Sequence, residues 1–122
     1  MKYEPLWERF EAIAPTGACC RVQFLRAGFL TLGGRPELYF FRVTRAGDAS
    51  EGTAEEVAVG ISGDALKRFE RARRSLSREE KSDLAGLLLK KNIEAGKSLD
   101  SNNLFIRDDE LAMLAGELGI PG

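Results

Sequence analysis

Two adjacent thiols, Cys19 and Cys20, and the carboxylate run Asp108-Asp109-Glu110 are the side chains of this 122-residue chain whose type and spacing first suggest chemistry. No histidine occurs anywhere. Its absence excludes Ser-His-Asp and Cys-His nucleophilic sites and imidazole metal sites. It also removes the side chain whose ordinary pKa suits proton transfer near neutrality, which leaves carboxylate, lysine or tyrosine routes. Two neighbouring thiolates with no further Cys or His cannot complete a tetrahedral metal site, and no CxxC redox pair is present. The acidic run reads as the first turn of a helix, where carboxylates favour the positive helix end. No catalytic residue, metal ligand or cofactor is assigned.

Two further segments end short of a site. Gly96-Lys97-Ser98 has the ending of a phosphate-binding loop, but Lys91 stands where that loop needs its first glycine. Asp100-Ser101-Asn102 opens like a calcium loop, yet Phe105 falls where glycine is required and Leu111 where the closing carboxylate belongs.

Binding offers more. Phe24, Arg26, Phe29, Arg35, Tyr39, Phe40, Phe41, Arg42 and Arg45 interleave aromatics with guanidiniums, as a sheet surface that stacks bases or docks a partner would. From these, Tyr39, Arg42 and Arg45 are selected for a sheet-surface contact. Lys67, Arg71, Arg74 and Arg78 fall on one helical stripe opposite Leu66 and Phe69, and Arg71 and Arg74 are selected to meet an acidic partner. Charge is unevenly spread: residues 63–97 hold ten Lys and Arg against six Asp and Glu, whereas residues 98–122 hold one against five. Neutralisation within one fold or an exposed basic face would each account for it.

The elements that must position these groups follow from periodicity. Leu6, Trp7, Phe10, Ile13 and Ala14 make one apolar helical stripe, predicting a short helix over 5–14 between two prolines. Cys20, Val22 and Phe24 alternate with Arg21 and Gln23 as in a half-buried strand, which Gly28 interrupts as a bulge. Gly33-Gly34-Arg35-Pro36 marks a turn, and Leu38–Arg45 pairs back as a hairpin. A loop spans Ala46 to Glu55, and Glu56–Ser62 is a third strand with Val57, Val59 and Ile61 on one face. Helices are predicted over about 64–75 and, behind the capping box Ser77-Arg78-Glu79-Glu80, to about Ala95, with Gly96 as left-handed cap. Leu104–Arg107 is a short strand; Asp108 caps a last helix, which Gly119-Ile120-Pro121 stops.

The order α-β-β-β-α-α-β-α implies an α+β domain, an antiparallel sheet of three to four strands with helices packed on one face. An apolar share of 43%, 30% charged residues and a net charge of −1 fit one globular domain over 1–122 and argue against generic polyanion binding. The absence of any apolar run of signal or spanning length, with two free thiols, reads as a cytoplasmic chain without membrane contact. The layout of residues 56–95, alternating strand then two helices, resembles ribbon-helix-helix DNA-binding domains. In such domains the strand's polar face reads the major groove, whereas here it carries Glu56, Ala58, Gly60 and Ser62. The leading expectation is a non-catalytic binding or interaction module that self-associates through an aromatic sheet face. A nucleic-acid-binding protein and a small enzyme using carboxylate or lysine chemistry are the alternatives.

Overall fold

The computed structural model describes residues 6, 8–29, 36–46, 54–73, 75–100 and 103–120. Its elements run β1 (Arg9–Ile13), β2 (Cys19–Phe29), β3 (Glu37–Ala46), β4 (Ala54–Ile61), α1 (Gly63–Ala72), α2 (Arg78–Glu94), β5 (Phe105–Ile106) and α3 (Asp108–Leu118). The five strands form one sheet in the order β1-β2-β3-β4-β5. Neighbours are antiparallel except β4 and β5, which are parallel and joined through α1 and α2. The α+β class therefore holds, with a larger, mixed sheet in place of an antiparallel sheet of three to four strands.

The main departure is at the start. The predicted helix over 5–14 is β1, paired residue by residue with β2 from Arg9↔Gln23 to Ile13↔Cys19. Ala12 is buried while Ile13 is 62% exposed, the reverse of what a helical stripe through Ile13 needs. Glu8 just before the strand has a φ of 78°, incompatible with a helix running through it. Local apolar spacing favours a helix, but the open edge of β2 supplies a hydrogen-bonded ladder for alternate residues of β1, and that long-range pairing wins. Trp7, which shared the predicted stripe, lies outside the described residues.

One face of the sheet is apolar. Phe10 and Ala12, Cys20 and Val22, Tyr39, Phe41 and Val43, and Val57, Val59 and Ile61 point the same way across four strands. Helix α2 lies against this inner face, and α3 packs on both α1 and α2. Gly86 permits the approach: a Cβ there would stand 3.1 Å from the Phe10 ring and 3.7 Å from that of Phe41. Leu84 and Leu89 of α2 and Leu111 and Leu114 of α3 are 0–1% exposed and close the core. The β2 bulge falls between Phe24 and Arg26, rather than at Gly28, and lets Phe24 and Ala27 both face inward.

Helix ends follow the sequence closely. Ser77 Oγ accepts from the Glu80 amide at 3.1 Å, and the Ser77 amide donates to Glu80 Oε1 at 2.9 Å, completing the capping box. Gly96 and Gly119 both take positive φ, and Ile120 folds back with its amide on the Ala115 carbonyl. At α3 the N-cap residue is Arg107, without a side-chain cap bond, so Asp108 is the first helical residue and not the cap. Helix α1 ends at Ala72, short of the predicted Ser75. Ser77→Ala is expected to lower stability by about 1 kcal/mol, read as a shift of the urea midpoint at unchanged m-value.

Of the predicted turn over 33–36 and loop over 46–55, residues 33–35 and 47–53 lie outside the described residues, while Ala46 ends β3 and Ala54 and Glu55 open β4. Among the described residues no helix is long and apolar enough to cross a membrane.

Candidate functional site

The opposite, outer face of the sheet carries the polar halves of the same strands. Register places Arg9 of β1, Gln23 of β2, Arg42 of β3 and Glu56 of β4 in one row across the strands. The next row holds Glu11, Arg21, Thr44 and Ala54. Arg9, Glu11, Arg21, Gln23, Arg42 and Glu56 are all exposed, and no described helix packs over them. Arg9, Arg21, Arg42, Glu11, Gln23 and Thr44 rim a shallow hollow of about 630 Å³.

Carboxylates on this face are unevenly shared. Glu56 forms two hydrogen bonds with Arg26, at 3.1 and 2.8 Å, which together with the guanidinium's charge holds its carboxyl below the usual range. Arg42 stands in the same row as Glu56 but acts on it only through space. Glu11 reaches Arg21 at 3.7 Å and accepts from the Cys19 thiol at 3.6 Å. Partial desolvation and then the Glu11 charge push the Cys19 thiol upward, which keeps it protonated at neutral pH. Among the described residues Arg9 has no carboxylate within ion-pair distance.

The aromatic content of the outer face is smaller than the sequence suggests. Tyr39 and Phe41 point inward, 1% and 2% exposed, so Tyr39 is a core residue and not a surface contact. Alternation along β3 is strict, and the face that pairs Tyr39 with Val59 is the one that α2 covers. Phe40 points outward, but the Arg26 guanidinium, fixed by Glu56, lies 4.4 Å above its ring centroid. The ring face a nucleobase would stack on is therefore taken. Phe105 packs over Gly60, where a Cβ would come within 2.8 Å of the ring. Gly60→Ala is accordingly expected to cost about 1–3 kcal/mol, measured by thermal or urea unfolding.

Tyr39 ends in a polar network at the rim of the core. Its hydroxyl donates to Glu37 Oε1 at 2.6 Å, and Lys81 Nζ approaches the same oxygen at 3.1 Å. Burial, then the Glu37 hydrogen bond and charge, push the phenol far above its usual range. The folded state thus favours neutral Tyr39, so this contribution is complete below the unfolded phenol's pKa of about 10 and is lost as pH rises beyond it. Tyr39→Phe is expected to flatten the alkaline decline in stability above about pH 10, followed by urea unfolding at each pH.

The other selected residues lie apart. Arg42 is in the outer-face cluster. Arg45, on the inner face at the sheet's end, stands 3.9 Å from Glu55 and lines a second hollow of about 480 Å³ with Cys20, Ile93, Lys97 and Leu99. Arg71 is exposed in the last turn of α1, and Arg74 lies outside the described residues. Lys67 and Arg71 are on α1, which ends at Ala72, and Arg78 opens α2, so Arg78 does not continue their helical stripe. Part of the charge asymmetry is neutralised internally, with Lys91 of α2 on Glu117 of α3 at 2.7 Å.

Arg9 and Arg21 are the members of the cluster that sequence reasoning did not select. Arg21 showed the right alternation, but Arg9 sat in a segment read as helix, so nothing aligned the two. The ribbon-helix-helix layout also changes meaning: β4 has β3 on one edge and β5 on the other, where that layout needs an edge free for a second chain. Both cysteines are free, and among the described residues no group of three or more Cys, Asp or Glu could hold a metal ion. No model of a known protein family matches the chain, and neither a curated protein nor a solved structure is found to match it.

Proposed function

We propose that this protein is a non-catalytic interaction module and that its outer sheet face, at Arg9, Arg21 and Arg42, binds an acidic segment of a partner protein. One observation carries the reading: three strands deliver three guanidiniums to the rim of one open hollow, with a single carboxylate, Glu11, among them. Guanidiniums are the groups best suited to paired recognition of carboxylates, and Gln23 and Thr44 add neutral hydrogen-bonding groups at the same place.

Self-association through an aromatic sheet face has weaker support. Tyr39 and Phe41 are in the core, Phe24 packs against it, and Phe40 lies under Arg26. Single-strand nucleic-acid binding loses the same stacking platform, and Glu11 and Glu56 flank the arginines where a continuous polyanion would run.

Fluorescence anisotropy with a labelled peptide of alternating Glu and Val at low salt tests the reading. Saturable binding that weakens with added salt is expected, since exposed charges are screened beyond roughly 10 Å at 0.1 M salt. Absence of binding at low salt, or binding that Arg42→Ala leaves unchanged, overturns it.

A further inference from the structure

The acidic group that fits the outer-face hollow is a phosphoryl dianion: we infer that the site recognises a phosphorylated side chain within an extended protein segment. The inference rests on the acidic-segment reading above and names its specificity. Arg9, Arg21 and Arg42 set against Glu11 leave an excess of two positive charges around the hollow. A carboxylate returns one of these. A phosphate monoester carries about −1.5 to −2 at neutral pH and returns nearly both.

Geometry separates the two ligands in the same direction. Arg9 and Arg42 flank Gln23 from opposite sides, two strand spacings apart or about 10 Å at the backbone. Arg21 stands on the β2 strand between them, two residues from Gln23. The two oxygens of a carboxylate match the fork of one guanidinium. The three terminal oxygens of a tetrahedral phosphoryl group accept from donors that arrive from several directions. The Gln23 amide and Thr44 hydroxyl line the same hollow and can each donate one more hydrogen bond.

The surroundings favour one compact dianion on a protein segment over a nucleic acid. Glu11 and Glu56 lie at opposite ends of the arginine rows. They repel a backbone bearing a phosphate at every step but leave room for a single phosphorylated side chain between neutral neighbours. Glu56 makes both its hydrogen bonds to Arg26, so Glu11, 3.7 Å from Arg21, is the carboxylate that stays within the cluster.

The test is an anisotropy titration with a short labelled Thr/Val peptide carrying one central phosphoserine, beside versions with Glu and with Ser at that position. The phosphopeptide should bind about ten-fold more tightly than the Glu peptide, as expected from one further charge-assisted hydrogen-bonded pair. The Ser peptide should bind weakest. Affinity for the phosphopeptide alone should fall as pH drops from about 7.5 to 5.5, because the second phosphate ionisation lies near 6. Arg9→Ala and Arg42→Ala should each abolish the preference, while Lys90→Ala, on α2, leaves it intact. Equal affinity for the phosphopeptide and the Glu peptide overturns the dianion assignment and leaves the acidic-segment reading standing. No binding of either peptide overturns both. Inorganic phosphate binding as tightly as the phosphopeptide overturns the segment as the source of the group.

Discussion

Phe41→Ala is expected to lower the unfolding free energy by about 3–5 kcal/mol, the range for truncating a buried aromatic that cannot be replaced by collapse of its neighbours. Phe41 is 2% exposed on the middle strand of the sheet. It packs edge-on against Phe24, with ring centroids 5.6 Å apart, and lies beneath Gly86 of α2. Strand pairing on both sides holds the backbone of β3 in place, so the surrounding structure has little freedom to fill the void. Urea unfolding followed by far-ultraviolet circular dichroism measures the effect. A loss below about 1 kcal/mol, far under the range for buried aromatics, would show that α2 and the sheet are not in the close contact described. Many domains of this size have only about 5–15 kcal/mol in total, so the variant is expected to be partly unfolded at physiological temperature.

The double variant Arg9→Ala/Arg42→Ala should weaken binding of the acidic peptide by about 100-fold, with each single variant losing about ten-fold. A hydrogen bond to a charged group contributes about 1.5–3 kcal/mol, or ten-fold and more in affinity. In the peptide of alternating Glu and Val the two arginines, about 10 Å apart on separate strands, meet different carboxylates, so their losses add nearly independently. Both side chains are exposed and neither packs in the core, so the urea midpoint should stay close to that of the parent chain. Loss of binding without loss of stability is the combination that assigns these arginines to recognition. Equal losses in both would assign them to the fold instead. Glu11→Gln should act in the opposite direction and strengthen acidic-peptide binding, because it removes the one carboxylate on the rim of the hollow.

The separation between what was legible and what was not follows the range of the interactions involved. Alternation of Val57, Val59 and Ile61, the pairing of Ser77 with Glu80, and the left-handed glycines at 96 and 119 all involve residues within four positions of one another. Each is present in the structure much as its spacing implies. Aromatics on both sides of β3 were equally legible as a pattern, since strict alternation sends Tyr39 and Phe41 one way and Phe40 the other. Which side faced the helices was not, because that depends on where α2 comes to rest. The site residues divide in the same manner: Arg42 was selected for a surface contact together with Tyr39 and Arg45, which lie on the opposite face of β3, and its cluster with Arg9 and Arg21 was not read.

From the chain alone came the α+β class, the hairpin of β2 and β3, the capping box of α2, the left-handed glycines that end α2 and α3, and the absence of histidine chemistry, all of them consequences of residue type and short-range spacing. Tertiary structure decided that residues 9–13 are a strand, that Tyr39 is buried, and that arginines at positions 9, 21 and 42 share one surface. The physical reason is that a five-residue segment has too few local hydrogen bonds to hold either conformation by itself. Its conformation is set by the free edge of β2, and the cross-strand register that results brings together side chains far apart in the chain.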